Sequence, residues 1–215
     1  MILLRDAALD RGTELTGEQL ELFRIYLDEL MDWNKHINLT GLRHRNRVVV
    51  ELFLDSLMPV PYLPERGRLL DVGTGAGIPG LPFKICRPGL ESDLLEPYSK
   101  KVSFLKHVIR LMKLDGVEVI RDRIEKGNKR LDPNGYDVIT ARALADLAQI
   151  IKWCVIHLKV HGKLVGFLGR NGEEALERNR QMMNEYGLEP TQIIRYLLPG
   201  RGSERTAVIL EKIAI

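Results

Sequence analysis

From Thr16 to Trp33 apolar side chains return at spacings of three and four, at Leu20, Phe23, Leu27 and Leu30, with Met31 beside them. That period predicts an amphipathic helix, and the Thr16 hydroxyl is placed to cap its start. A second helix is expected from about Asn46 to Met58. Pro59, Pro61 and Pro64 follow as a connector, because proline lacks the N–H that a helix interior needs. Residues 1–60 therefore read as a small helical appendage and 61–215 as the main domain.

Beyond the prolines short apolar runs alternate with helix-like segments. Arg68 to Val72, Glu91 to Glu96, Val117 to Arg121, Tyr136 to Ala141 and Lys163 to Leu168 are the strand candidates. Such alternation predicts an α/β fold with a doubly wound parallel sheet. Two further candidates, Gln192 to Leu198 and Thr206 to Ile213, are joined only by Pro199 to Arg205. A parallel pair needs a longer crossover, so these two strands are expected to be antiparallel neighbours.

The first strand ends in Asp71 and runs into Gly73, Gly75, Gly77 and Gly80, with Pro79 placed to open a helix. Glycine there lets the backbone approach a ligand closely. Gly75 to Gly80 fits the dinucleotide fingerprint, and Glu96 lies roughly 20 residues on, where a ribose-binding acid is expected. Asp71 argues for a different cofactor. A carboxylate at that strand end would repel a pyrophosphate but suits S-adenosylmethionine, which carries an ammonium and a sulfonium. The antiparallel finish agrees, since a mostly parallel seven-stranded sheet closed in that way is the Rossmann-like class I methyltransferase pattern. Structural roles compete with these: Asp71 as a helix cap and Glu96 as a solvated strand end.

At 215 residues, 45% hydrophobic and 28% charged, the chain has the composition of one globular α/β domain with a small addition. Its N-terminus turns polar within a few residues, so no signal peptide is expected and the cytoplasm is the expected location. Cys86 and Cys154 have no metal-ligand or redox spacing and are expected as buried thiols. The five histidines, His36, His44, His107, His157 and His161, show no metal spacing either. The net charge of +3 is mild, but basic residues cluster at Arg43 to Arg47, Lys100 to Lys113 and Arg121 to Arg130. These form a phosphate track only if the fold brings them to one side.

The segments Asp71 to Gly80, Arg87-Pro88, Leu94 to Glu96, Lys100 to Leu105 and Thr140 to Ala143 run in an order that resembles the RsmG family, also called glucose-inhibited division protein B. Trp33 to Thr40 and Leu54-Asp55-Ser56 extend the resemblance into the appendage. It implies a methyltransferase forming 7-methylguanosine in 16S ribosomal RNA with S-adenosylmethionine as donor. It puts Gly73 and Ile78 against the donor, Ile124 and Glu125 beside its adenine, and Arg142 at the fourth strand's end near the acceptor. Asn38 and Lys100 are the next positions it implies for RNA, and Arg205 is a further phosphate contact. An ordinary core position for Ile124 and a salt bridge from Arg142 to Glu125 or Asp146 are the competing roles. Two departures stand out: Leu168-Gly169-Arg170 replaces a family Lys-Gly, and Leu52 stands near a family histidine.

The residues at the fourth strand support the same chemistry. Thr140-Ala141-Arg142 lacks the Asn/Asp-Pro-Pro-aromatic motif used on adenine amines and the cysteine used on cytosine carbon 5. Nitrogen 7 of guanine already has an in-plane lone pair, so positioning matters more than a base. Arg142 is the expected catalytic residue, and arginine pairs with the guanine edge. The donor site is expected from Asp71, Gly73, Gly75, Gly77, Ile78, Glu96, Ile124, Glu125 and Arg142. The expected partner is 16S ribosomal RNA or the small ribosomal subunit, met by a monomer away from membranes. An NAD-dependent Rossmann oxidoreductase and a non-catalytic RNA-binding protein with this fold are the alternatives.

Overall fold

The computed structural model describes residues 1–124, 130–142 and 146–213. Its centre is a seven-stranded sheet: β1 (Arg66–Val72), β2 (Gly89–Leu95), β3 (Val117–Ile120), β4 (Tyr136–Arg142), β5 (Leu158–Gly169), β6 (Leu188–Leu197) and β7 (Glu204–Lys212). The order across the sheet is β3-β2-β1-β4-β5-β7-β6. The first five strands are mutually parallel, and β7 runs antiparallel to both β5 and β6. All seven strand candidates are present. β5 starts earlier than its apolar pattern predicts because it is bulged: Tyr136 pairs with Leu158 but Val138 pairs with Lys163.

Alternation along the strands divides the core in two. Leu69, Leu94, Val138, Val165 and Ile209 point to one face, and their neighbours Leu70, Leu95, Ile139, Leu164 and Leu210 to the other. The first face is covered by α1 (Ile2–Leu9), α2 (Gly17–Trp33), α5 (Gly80–Cys86) and α6 (Ser99–Leu111). The second is covered by α7 (Leu147–Cys154), α8 (Gly172–Arg178) and α9 (Arg180–Glu185). The N-terminal helices thus share one continuous apolar core with the first face: Phe23, Tyr26 and Phe53 are fully buried with Leu69 and Phe104. Aromatic contacts join them, Tyr26 to Phe53 at 5.0 Å and Trp33 to Phe104 at 5.7 Å between centroids.

Local sequence explains how these helices begin. The Thr16 side chain accepts from the Gln19 N–H while the Gln19 side chain accepts from the Thr16 N–H, a capping box. The expected helix near Asn46 is one helical run over 45–57 with an irregular middle. α3 (Arg45–Val48) passes into a π-helical segment, Val49–Leu54, and then into α4 (Asp55–Leu57). No helix among the described residues is long and apolar enough to cross a membrane.

Candidate donor cleft and acceptor end of the sheet

The loop after β1 is shaped by its own carboxylate. Asp71 is fully buried, and its Oδ2 accepts from the Thr74 hydroxyl at 2.5 Å and from the Gly80 N–H at 2.8 Å. Gly80 begins α5, so Asp71 also sits at a positive helix end. The carboxylate therefore lies beneath the loop and does not face outward from the strand end. Burial raises it to about 7, against the lowering effect of those two hydrogen bonds and of the Arg142 charge. Its Oδ1 is buried with no hydrogen-bond partner.

Gly73, Gly75 and Gly77 all adopt positive φ, which carries the chain tightly around this carboxylate. Gly77 is more tightly enclosed than Gly75. A Cβ there would lie 2.5 Å from Leu81 Cδ1 and 2.9 Å from the Tyr26 hydroxyl. Tyr26, on α2, donates to the Ala76 carbonyl, so the N-terminal helices brace the loop directly. Ile78 is buried in the same core. At the end of β2, Glu96 is almost fully buried: Oε2 accepts from the Gly75 N–H at 3.0 Å and Oε1 from the Tyr98 N–H at 2.9 Å. Each oxygen keeps a second lone pair.

Beside this loop lies a cleft of about 360 Å³ at the carboxyl ends of β1, β2 and β3. Gly73, Val72, Leu95 and Ile124 line it, with Tyr98, Asp122 and Trp153. Open α/β sheets bind ligands at this end, where the strand order reverses. Ile124 belongs both to the cleft and to the second core, so its two expected roles coincide. Glu125 lies outside the described residues. Asp122 and Trp153 went unnoticed in the sequence. An acid just past the third strand was a readable signal for the first, whereas Trp153 arrives from α7, remote in sequence.

Arg142 ends β4 and is largely buried. Its Nη2 donates to Asp55 Oδ2 at 2.8 Å and to the Glu51 carbonyl at 2.5 Å, and its guanidinium lies 5.7 Å from the Phe167 ring centroid. Nη1 is buried without a partner. The acid it pairs with is Asp55, from the N-terminal helical run, while Asp146 caps α7 and Glu125 lies outside the described residues. Arg205 joins the same group, donating to Asp55 Oδ1 at 3.0 Å, as does the Tyr196 hydroxyl at 2.9 Å. Arg47 and Arg201 both pair with Glu51. Arg205 is therefore engaged with carboxylates before any phosphate arrives.

The remaining expected RNA residues lie apart. Lys100 is exposed in the first turn of α6, near the cleft residue Tyr98. Asn38 is exposed in a separate cleft of about 730 Å³ with Lys35, His36 and Arg43. Asn34 builds that loop: its Oδ1 accepts from the Leu39 and Thr40 N–H groups and its Nδ2 donates to the Leu42 carbonyl. Within the basic clusters Arg45 is paired with Asp28, which reduces their net field. Arg170 is exposed after β5. Cys86 and Cys154 are buried, both pushed up to about 12 by desolvation. Among the described residues no cluster of histidine, cysteine and acidic side chains could hold a metal ion.

Comparison with known proteins agrees with this geometry. The family model for rRNA small subunit methyltransferase G matches residues 19–200. A ribosomal RNA small subunit methyltransferase G from Geobacillus sp. (strain WCH70) is 32% identical, covering 95% of this chain and 87% of its own. One of the same name from Syntrophotalea carbinolica is 37% identical, covering 87% of this chain and 86% of its own. Among solved structures, a SAM dependent methyltransferase from Aquifex aeolicus superposes with a TM-score of 0.60 at 18% identity, over 81% of this chain and 97% of that one. That last likeness is one of fold.

Proposed function

Because the chain belongs to the rRNA small subunit methyltransferase G family, we propose that it transfers a methyl group from S-adenosylmethionine to nitrogen 7 of a guanosine in 16S ribosomal RNA. The observation that carries the reading is the juxtaposition at one end of the sheet of the Asp71-centred glycine loop, its neighbouring cleft and the half-engaged guanidinium of Arg142.

The residues present fit the donor. Asp71 holds the glycine loop from beneath, and the loop's Gly73 lines the cleft, where the missing side chain lets a ligand approach the backbone closely. The spare lone pairs of Glu96 suit ribose hydroxyls. Ile124, Leu95 and Trp153 offer apolar walls to a purine. The resemblance assigns Glu125 to the same adenine. Bound there, S-adenosylmethionine supplies an activated methyl group on sulfur.

The protein's own task is then one of placement. Nitrogen 7 presents a lone pair in the base plane, so no side chain has to withdraw a proton. Arg142 holds the guanine edge in line with the cleft, a contribution of positioning that reaches several kcal/mol when it replaces a free encounter. Lys100, Asn38 and Arg205 contact the RNA around it, Arg205 by sharing itself between Asp55 and a phosphate. The same reading has a monomer working in the cytoplasm on the small subunit or its RNA.

Incubation with tritiated donor and 16S RNA or small subunits from a methylation-deficient strain tests the reading. Label enters RNA with the wild-type protein, and Arg142→Ala lowers the rate roughly 100-fold with a smaller effect on folding. Absence of transfer to either RNA form would overturn the reading, and a wild-type rate in R142A would remove Arg142 from the site.

A further inference from the structure

The helical run 45–57 departs from α-geometry where it meets Arg142. In a regular α-helix the Asp55 N–H would bond the Glu51 carbonyl four residues back. Here it is directed to the Val50 carbonyl five residues back, the π-helical bond, and to the Leu52 carbonyl. The Glu51 carbonyl, which the Asp55 N–H does not take, accepts from Arg142 Nη2. The same nitrogen takes Asp55 Oδ2. Asp55 is 2% exposed, and its other oxygen is held by Tyr196 and Arg205. One guanidinium nitrogen is thus clamped by two acceptors, each from the π-helical corner, while Nη1 stays buried and unpaired.

We propose that the π-helical turn and Asp55 form a positioning device for Arg142, fixing Nη2 and with it the plane of the guanidinium at the end of β4, where the guanine is read to bind. Asp55 is a positioning residue, because it acts through Arg142. Local π-helical turns recur at functional sites. Asp55 meets Arg142 through Oδ2 alone, so two separate acceptors on Nη2 orient the planar guanidinium, which a lysine ammonium could not present in a fixed plane. Because Glu51 also collects Arg47 and Arg201, the clamp links the N-terminal helices to the end of β4 and to the loop before β7. The inference rests on the guanine reading above for the identity of the acceptor, but its clamp is testable without substrate.

Two measurements decide it. The first is nitrogen-15 NMR of arginine-labelled protein without ligand. Arg142 is expected to give a guanidinium signal with hindered Nη rotation, lost in Asp55→Asn; free rotation in the wild type would overturn the clamp. The second is a double-mutant cycle. Asp55→Asn is expected to lower kcat roughly 100-fold, as for a misplaced group, with the affinity for S-adenosylhomocysteine changed less than about twofold. On top of Arg142→Ala it costs nothing beyond that same spread. Equal losses in both backgrounds would show a structural role and overturn the proposal. Where D55N does not fold, Tyr196→Phe carries the test: loss of one hydrogen bond to Asp55 lowers kcat about fivefold and loosens the Arg142 signal, and no change in either would overturn it. Failure of the wild type to methylate RNA would sink the guanine reading while leaving the NMR result standing.

Discussion

Substituting Gly77 by alanine separates steric demand from conformational demand in the donor loop. At φ +94 the residue lies where side chains are rarely found, and the new methyl would meet Leu81 Cδ1 at 2.5 Å and Cγ at 2.9 Å. Leu81 is fully buried, so it has no solvent into which to swing. Left-handed backbone costs a non-glycine residue about 1–2 kcal/mol, and overpacking adds about 1–3 kcal/mol. The Tyr26 hydroxyl, 2.9 Å from the same methyl, would also be displaced from Ala76. The two costs sum to about 2–5 kcal/mol. Gly75 has positive φ too, +61, but only the Gly73 carbonyl at 3.9 Å near its absent Cβ. G75A therefore bears the backbone cost alone, about 1–2 kcal/mol. At roughly 2–4 °C per kcal/mol for a domain of this size, G77A lowers Tm by roughly 10 °C and G75A by about 4 °C. Calorimetry with matched urea titrations measures both. Equal shifts would refute the reasoning, because the difference rests wholly on the Leu81 and Tyr26 contacts.

Asp71 gives a prediction in pH. Its carboxyl is raised to about 7 in the native protein from about 3.9 in an unfolded chain. The native state then holds a proton that the unfolded state has lost, so this group's contribution to stability falls as pH rises from about 4 to about 7. Urea midpoints should drop for the wild type relative to Asp71→Asn between pH 5 and pH 8, and parallel profiles would contradict this. Trp153 lines the cleft while Trp33 packs on Phe104, and these are the chain's two tryptophans. Adding S-adenosylhomocysteine should alter emission in the wild type and leave W153F unaltered; a persistent change in W153F would place the ligand elsewhere.

The sheet was legible because each buried strand carries its own short apolar run and because Pro199 to Arg205 is too short for a crossover. The start of β5 was not, since a bulge is a register effect between two strands and leaves no period in either. Gly75 and Glu96 were legible as two parts of one cofactor motif, but the hydrogen bond that joins them was not. Asp71 was readable as an acid at a strand end, but whether it faces outward or turns beneath the loop depends on where Thr74 and Gly80 lie in space. Arg142 stood out by position, whereas its partners Asp55 and Glu51 come from some ninety residues away. Only tertiary packing brings such groups together, and the π-helical turn beside Glu51 has no local sequence mark.

The central claim is methylation of a guanine at nitrogen 7, and that product has a chemical signature in its fragile glycosidic bond. Undermethylated 16S RNA incubated with the protein and S-adenosylmethionine, then treated with borohydride and aniline, should be cleaved at one guanosine, with far weaker cleavage after the same incubation when R142A replaces the wild type. Methyl label incorporated into RNA without any such cleavage would contradict the account.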